Sequence, residues 1–187
     1  MLEHIFKLES RIMLNAASPA MDVMVISDLI GDHADLADAV NENVVTVHYN
    51  PDTDSLDTLL HKIEIALGGN TAGKIGFAIH GEDGSFQLTP EETVTSDSIN
   101  TDPEQQAFFT QLSQMVKENG RIDILACNVW NNDAGNALAD SLELITGINF
   151  AFSSDITGND TDNPGNWILE SDNIDLTDPT AGYFDEI

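Results

Sequence analysis

Two apolar runs in this chain each stop on a residue that can do chemistry. Lys74-Ile75-Gly76-Phe77-Ala78-Ile79 leads into His80-Gly81, and Arg121-Ile122-Asp123-Ile124-Leu125-Ala126 leads into Cys127, the only cysteine. In a parallel α/β sheet the carboxyl ends of the strands form one rim, and ligands are bound there. Strands that are neighbours lie about 4.8 Å apart, so an imidazole and a thiol on adjacent strand ends can meet across a substrate. That is the arrangement that activates a cysteine nucleophile.

Each residue also has a plainer reading. A lone cysteine after an apolar run is often a small buried hydrophobe, and a histidine closing a strand is often only hydrogen-bonded. The context favours chemistry. Asn128, Asn131 and Asn132 follow Cys127 before a helical pattern begins, which would set the thiol near a helix N-terminus, where a thiolate is favoured. Gly81 lets backbone approach a ligand closely, and the Gly81 and Cys127 amides could share an oxyanion. Asp155 ends a later apolar run, so it belongs on the same rim unless it only makes an Asx turn.

The elements that must position these residues alternate in type. Apolar, β-rich runs at 23–30, 44–49, 75–79, 122–126 and 148–153 predict strands. Three- and four-residue apolar spacing predicts helices at about 34–40, 56–67, 104–118 and 134–146. Alternation of this kind predicts an α/β three-layer sandwich, a mostly parallel central sheet with helices on both faces. Gly84-Ser85-Phe86-Gln87-Leu88 adds a short hairpin strand beside the rim, and 167–170 an edge strand. The organisation expected is an extension at 1–20, one domain at 21–178 and a tail at 179–187.

The chain has 187 residues, with six Lys+Arg against 33 Asp+Glu for a formal charge of -27. Such a surface repels nucleic acid and anionic membranes, and both are excluded as partners. No run is long and apolar enough to insert into a membrane. The N-terminal residues mix Glu3, Lys7, Glu9 and Arg11 with apolar positions, so a secretory signal peptide is not indicated at this end. Asp28-Leu29-Ile30-Gly31 is no phosphate loop, which disfavours a nucleotide binder. Asp160 and Asp162 have calcium-loop spacing, but Pro164 and Ser171 replace ligands an EF-hand requires. No metal or other cofactor is expected, and calcium only as a weak counter-ion.

A strand ending in His80-Gly81 followed by one ending in Ala126-Cys127 resembles the signature of the caspase-like cysteine peptidases, which include gingipains, clostripain and separase. The span 22–170 is also similar to an uncharacterised domain near the start of very large bacterial surface proteins with cadherin-like or calcium-binding repeats. The pieces that carry this are Val23-Met24-Val25-Ile26-Ser27-Asp28, Ile79-His80-Gly81, Ile124-Leu125-Ala126-Cys127-Asn128-Val129, Leu144-Ile145-Thr146-Gly147, Ser153-Ser154-Asp155-Ile156-Thr157-Gly158 and Gly165-Asn166-Trp167. Leu8-Glu9-Ser10-Arg11 is similar to the Leu-Glu-Pro-Arg motif that opens many such proteins, with Ser10 where proline is usual.

The resemblance implies a caspase-like fold with flavodoxin-like strand order and catalysis by Cys127 and His80 in an autoprocessing or substrate-restricted endopeptidase. It places the domain in an exported protein at a bacterial cell surface, with a peptide or its own N-terminal extension as substrate. It also implies that Asp155 reads a basic P1 side chain, which makes Arg11 the candidate cleavage site; Leu125 stands where relatives can carry a second acid. A non-catalytic anchoring or sorting module that keeps the peptidase fold is the alternative.

The charge balance makes one prediction directly. Added calcium should raise the melting temperature by relieving acidic self-repulsion, and monovalent salt should reproduce much of that gain. Calorimetry that finds stoichiometric micromolar calcium binding surviving high NaCl would contradict it.

Overall fold

The computed structural model describes residues 21–158 and 165–185. Five strands form the central sheet: β1 (Met21–Ser27), β2 (Val44–Tyr49), β3 (Ala72–Ala78), β7 (Val116–Leu125) and β8 (Asn149–Phe152). They are all parallel and lie in the order β2-β1-β3-β7-β8. Counted along the chain this is 2-1-3-4-5, the flavodoxin-like order, and the protein is a three-layer α/β sandwich. Val23 to Ile26 are fully buried because helices and loops cover both faces, the condition under which a strand can be apolar at every position.

One face is packed by α2 (Leu56–Leu67), α4 (Pro103–Gln114) and α5 (Asp133–Thr146). In α2 the buried set Leu56, Leu59, Leu60, Ile63 and Leu67 follows the helical period, Ser55 caps the start, and Gly68 ends it in the left-handed region at φ 56°. Asp102 caps α4 with Pro103 in the first turn. A three-stranded antiparallel unit, β4 (Gly81–Glu82), β5 (Ser85–Thr89) and β6 (Glu92–Thr95), stands beside the rim. It is anchored by Phe86, whose ring lies 6.2 Å from Phe109 and 6.4 Å from Phe152.

The other face is closed without a long helix. α1 (His33–Asp38), a hairpin of β9 (Ile168–Leu169) and β10 (Ile174–Asp175), and residues 176–184 lie on Met24, Ile26, Ala78, Leu125 and Ala151. The described part of the segment read as a tail, 179–185, folds onto the sheet, with Tyr183 and Phe184 buried. Their seat is a charged cluster. Arg121 Nε donates to both oxygens of Asp123 at 2.9 Å, and Tyr183 Oη donates to Asp123 Oδ2 at 2.7 Å. Asp123 is fully buried, and burial pushes its carboxyl up against the opposing pull of Arg121 and Tyr183. Lys74 Nζ donates to the carbonyls of Ala181 and Gly182, and Arg121 also donates to that of Ala181. Gly76 is required beneath: a Cβ there would lie 2.9 Å from both Met24 Sδ and the Tyr183 ring.

Several elements also differ from expectation. The first strand ends at Ser27 rather than at position 30, because Ser27 starts a turn. Helix α4 stops at Gln114 rather than at 118, since Val116 already pairs with Ala72. The edge strand expected at 167–170 pairs only with β10. A short helix, α3 (Ser96–Thr101), was not anticipated; it is set by the capping box of Thr95 and Ser98 and buries only Ile99, too little to give a period.

Removing partners from Asp123 should be costly. Tyr183→Phe is expected to lose about 1–3 kcal/mol, and Arg121→Met about 3–5 kcal/mol, by leaving a buried carboxylate uncompensated. Urea unfolding of the two variants measures both, and a larger loss in Tyr183→Phe than in Arg121→Met would contradict the ordering.

Candidate active site

Strands β3 and β7 are neighbours, and their last paired residues are Ala78 and Leu125. The ladder runs one step further, with Ile79 N–H donating to the Leu125 carbonyl at 3.2 Å. His80 and Cys127 therefore stand at matching register positions, each two residues past the final pair. Both lie on the carboxyl rim, as the strand-end reading expects. The two segments touch closely: a Cβ on Gly81 would lie 2.7 Å from Ala126 Cβ, 2.8 Å from Val129 Cγ2 and 3.0 Å from the Cys127 carbonyl oxygen. Only glycine fits at that crossing.

His80 occupies the switch point of the sheet, the crevice between β1 and β3 where strand order reverses. Its side chain is exposed, and Nε2 lies 3.2 Å from the carbonyl of Leu29 in the loop after β1. A carbonyl can only accept, so this contact calls for a proton on Nε2, and in the neutral ring that leaves Nδ1 with its lone pair. Leu29 was not singled out in the sequence, because a main-chain acceptor carries no side-chain signature.

Cys127 is half-buried and opens a turn. Asn128 takes the left-handed conformation at φ 61°, and its N–H donates to the carbonyl of Asp155 at 2.7 Å. Trp130 N–H donates to the Ser153 carbonyl at 2.9 Å, tying the same turn to the chain beyond β8. The helix effect expected at the thiol is weakened. Asn132 caps α5 and its Oδ1 already accepts from the amides of Ala134 and Gly135.

The two amides expected to hold an oxyanion are free of the ladders. Gln87 N–H donates to the His80 carbonyl at 3.0 Å, so the facing pair Gly81 and Phe86 is of the non-hydrogen-bonded kind and Gly81 N–H points out of the hairpin. Among the described residues the Cys127 amide donates to no backbone carbonyl. A shallow depression of about 240 Å³ beside His80 is lined by Gly81, Glu82, Ser85, Phe86, Gln87 and Thr93. Cys127 does not line it.

Asp155 lies on the rim next to the Cys127 turn. Its Oδ2 accepts from Asn166 Nδ2 at 2.8 Å and its Oδ1 from Ser153 Oγ at 3.3 Å. The same Asn166 nitrogen donates to Glu170 Oε1 at 3.3 Å, while Glu170 Oε2 takes the Ser154 N–H at 2.7 Å. Two carboxylates thus share one amide. Burial, and then the charge of Glu170, push the Asp155 carboxyl up. Glu170 was missed because fifteen positions separate it from Asp155, and only the β9 hairpin brings them together. Arg11 and the Asp160–Asp162 pair lie outside the described residues. Among those described, no group of three or more His, Cys, Asp or Glu side chains is placed to hold a metal ion.

The fold and rim define an α/β domain with a histidine and a cysteine on adjacent strand ends. Over residues 23–183 the chain matches a family model described as Domain of unknown function (DUF4347), and it belongs to that family. No curated protein matches it. Among solved structures, "Crystal structure of a small-chain dehydrogenase" aligns over 66% of this chain and 69% of that one, at 12% identity and a TM-score of 0.33. A likeness that distant carries no argument about function.

The carboxylate pair has a stability consequence. With its folded-state proton affinity raised, Asp155 contributes stability that is full below the ordinary carboxylate value, about 3.9, and is lost as pH rises through the raised value. Asp155→Asn should therefore melt higher than wild type at pH 7, with the gain shrinking toward pH 3. Thermal melts of both proteins at the two pH values check the sign.

Proposed function

We propose that this domain is a caspase-like cysteine endopeptidase, substrate-restricted or autoprocessing, carried in a larger exported protein. One observation bears most of the weight: Cys127 and His80 share a register position on neighbouring strands while the Leu29 carbonyl holds the imidazole from its far side. With Nε2 protonated toward Leu29, Nδ1 takes the proton from Cys127 Sγ. The thiolate attacks the peptide carbonyl carbon, and the Gly81 and Cys127 amides stabilise the tetrahedral oxyanion. The C–N bond then breaks as His80 returns the proton to the departing amine, leaving a thioester at Cys127. Water deprotonated by His80 hydrolyses it and restores the thiol. A backbone carbonyl does the orienting work a third side chain would otherwise do.

Asp155, with Glu170 beside it, supports recognition of a basic P1 residue, because a guanidinium can bridge two carboxylates that crowd each other. Arg11 is the candidate in cis. Among the six Lys and Arg residues, Lys62, Lys74, Lys117 and Arg121 fall in or beside regular elements, where the backbone resists being drawn out into a groove. The rival reading, a silent anchoring module on the same fold, draws support from the depression that omits Cys127 and from the capping of α5 by Asn132.

Purified protein should change mass on standing with a cut after Arg11, while Cys127→Ala stays intact and Asp155→Ala cuts more slowly. The Cys127 thiol should react with iodoacetamide at neutral pH faster than free cysteine, and His80→Ala should slow it. A thiol inert until denaturation, together with unchanging mass, would favour the silent module.

A further inference from the structure

The five strands of the sheet all run the same way, so the chain enters at one edge of the domain and the site stands at the other. Met21, the first residue of β1, pairs with Ala72 where β3 begins, whereas His80 and Cys127 lie beyond the last pairs of β3 and β7. At about 3.3 Å per residue, the seven residues of β1 alone put roughly 20 Å between those edges. Neither face offers a short cut. One is covered by α2, α4 and α5. Over β1 the other is covered by α1 and residues 176–184, which are joined to each other by the Val40–Phe184 bridge and by the bond from Asp185 N–H to the Ala39 carbonyl.

Arg11 stands ten residues before Met21, and ten residues drawn out fully span at most about 36 Å. To enter the groove of its own molecule, Arg11 would have to be carried up the outside of a covering layer. That path takes about 20 Å along the strands, with about 10 Å outward and about 10 Å back for the thickness of a helix or a packed hairpin. The route around the β2 edge is no shorter, because the chain must then return over β2, β1 and β3 at about 4.8 Å each. Either way the tether falls short, whatever conformation it takes. We propose that the bond after Arg11 is cut between molecules: the groove at Cys127 takes the N-terminal extension of a second copy of this chain. The inference rests on the peptidase reading with Arg11 as its site, and names the molecule that does the cutting; a bond in the chain's own sequence need not be cut by its own thiol. Charge suits the partner. Residues 1–20 carry Lys7 and Arg11 against Glu3 and Glu9, so this stretch is balanced in a chain of formal charge -27. It is the part of a neighbour least repelled by the Asp155 and Glu170 carboxylates at the rim.

Two measurements on the full chain test this. In the first, a nitroxide is attached to Arg11→Cys in a Cys127→Ala background, and broadening of amide NMR signals is read at the rim, from Gly81 and Asn128, and at the amino edge, from Asn70 and Thr71. In dilute solution the amino-edge signals should broaden while the rim signals keep their intensity. A chain lengthened by about twelve Gly and Ser residues between Pro19 and Ala20, a flexible spacer, should broaden at the rim as well. Rim broadening in the unlengthened chain that matches the lengthened one overturns the proposal without any need for catalysis. In the second, the cut after Arg11 is timed by mass spectrometry. Doubling the protein concentration should roughly halve the half-life, and wild type should cut added Cys127→Ala chain. A half-life independent of concentration, with the Cys127→Ala chain spared in the mixture, removes this inference alone and leaves the peptidase reading standing. No cut at any concentration removes both.

Discussion

The contact on which the rest of the structure depends is the buried Asp123 carboxylate with Arg121 and Tyr183 around it. A protein with 33 acids and six Lys and Arg residues places two of those cations, Lys74 and Arg121, on adjacent strands under the carbonyls of Ala181 and Gly182. One face of the sheet has no long helix to cover it. The cluster supplies what a helix would, by drawing residues 181–184 across the strands and seating Tyr183 and Phe184 as the apolar cover. Lys74 Nζ also stands 4.7 Å from the Tyr183 ring centroid, a cation–π contact that ties charge and cover together.

That strap reaches the rim indirectly. Asn41 N–H donates to the Tyr183 carbonyl at 2.8 Å and Asp185 N–H to the Ala39 carbonyl at 3.2 Å. Both bonds grip the end of α1, the helix that follows the loop bearing Leu29. The carboxyl rim is tied separately. Gly84 N–H donates to the Val129 carbonyl at 3.1 Å and Asn131 Nδ2 to Asp83 Oδ1 at 3.2 Å, so the β4–β5 turn and the turn after Cys127 hold each other. His80 and Cys127 thus sit on strand ends whose flanking loops are braced against one another.

Charge works against this domain nearly everywhere, and its consequences differ by depth. On the surface, repulsion is spread and screened. At the rim, Asp155 and Glu170 crowd around one amide of Asn166, and the charge of Glu170 adds to the upward push on the Asp155 carboxyl. In the interior, the Asp123 carboxylate is tolerated only because every oxygen is met by a donor.

Much of this was legible in the chain itself. Fully apolar runs such as Val23 to Ile26 state that a strand is covered on both faces, and their alternation with the helical period of Leu56 to Leu67 states a parallel sheet; His80 and Cys127 are local, since each simply closes such a run. Caps are equally local, as Asp102-Pro103 shows. What the sequence could not state are the relations that only the assembled chain creates: that β3 and β7 are neighbours in matching register, that Glu170 joins Asp155, that the Leu29 carbonyl meets His80, and that residues 181–184 lie over Asp123. Main-chain groups carry no residue signature, and pairings across fifteen to sixty positions depend on how the whole chain packs, so tertiary structure alone decided them.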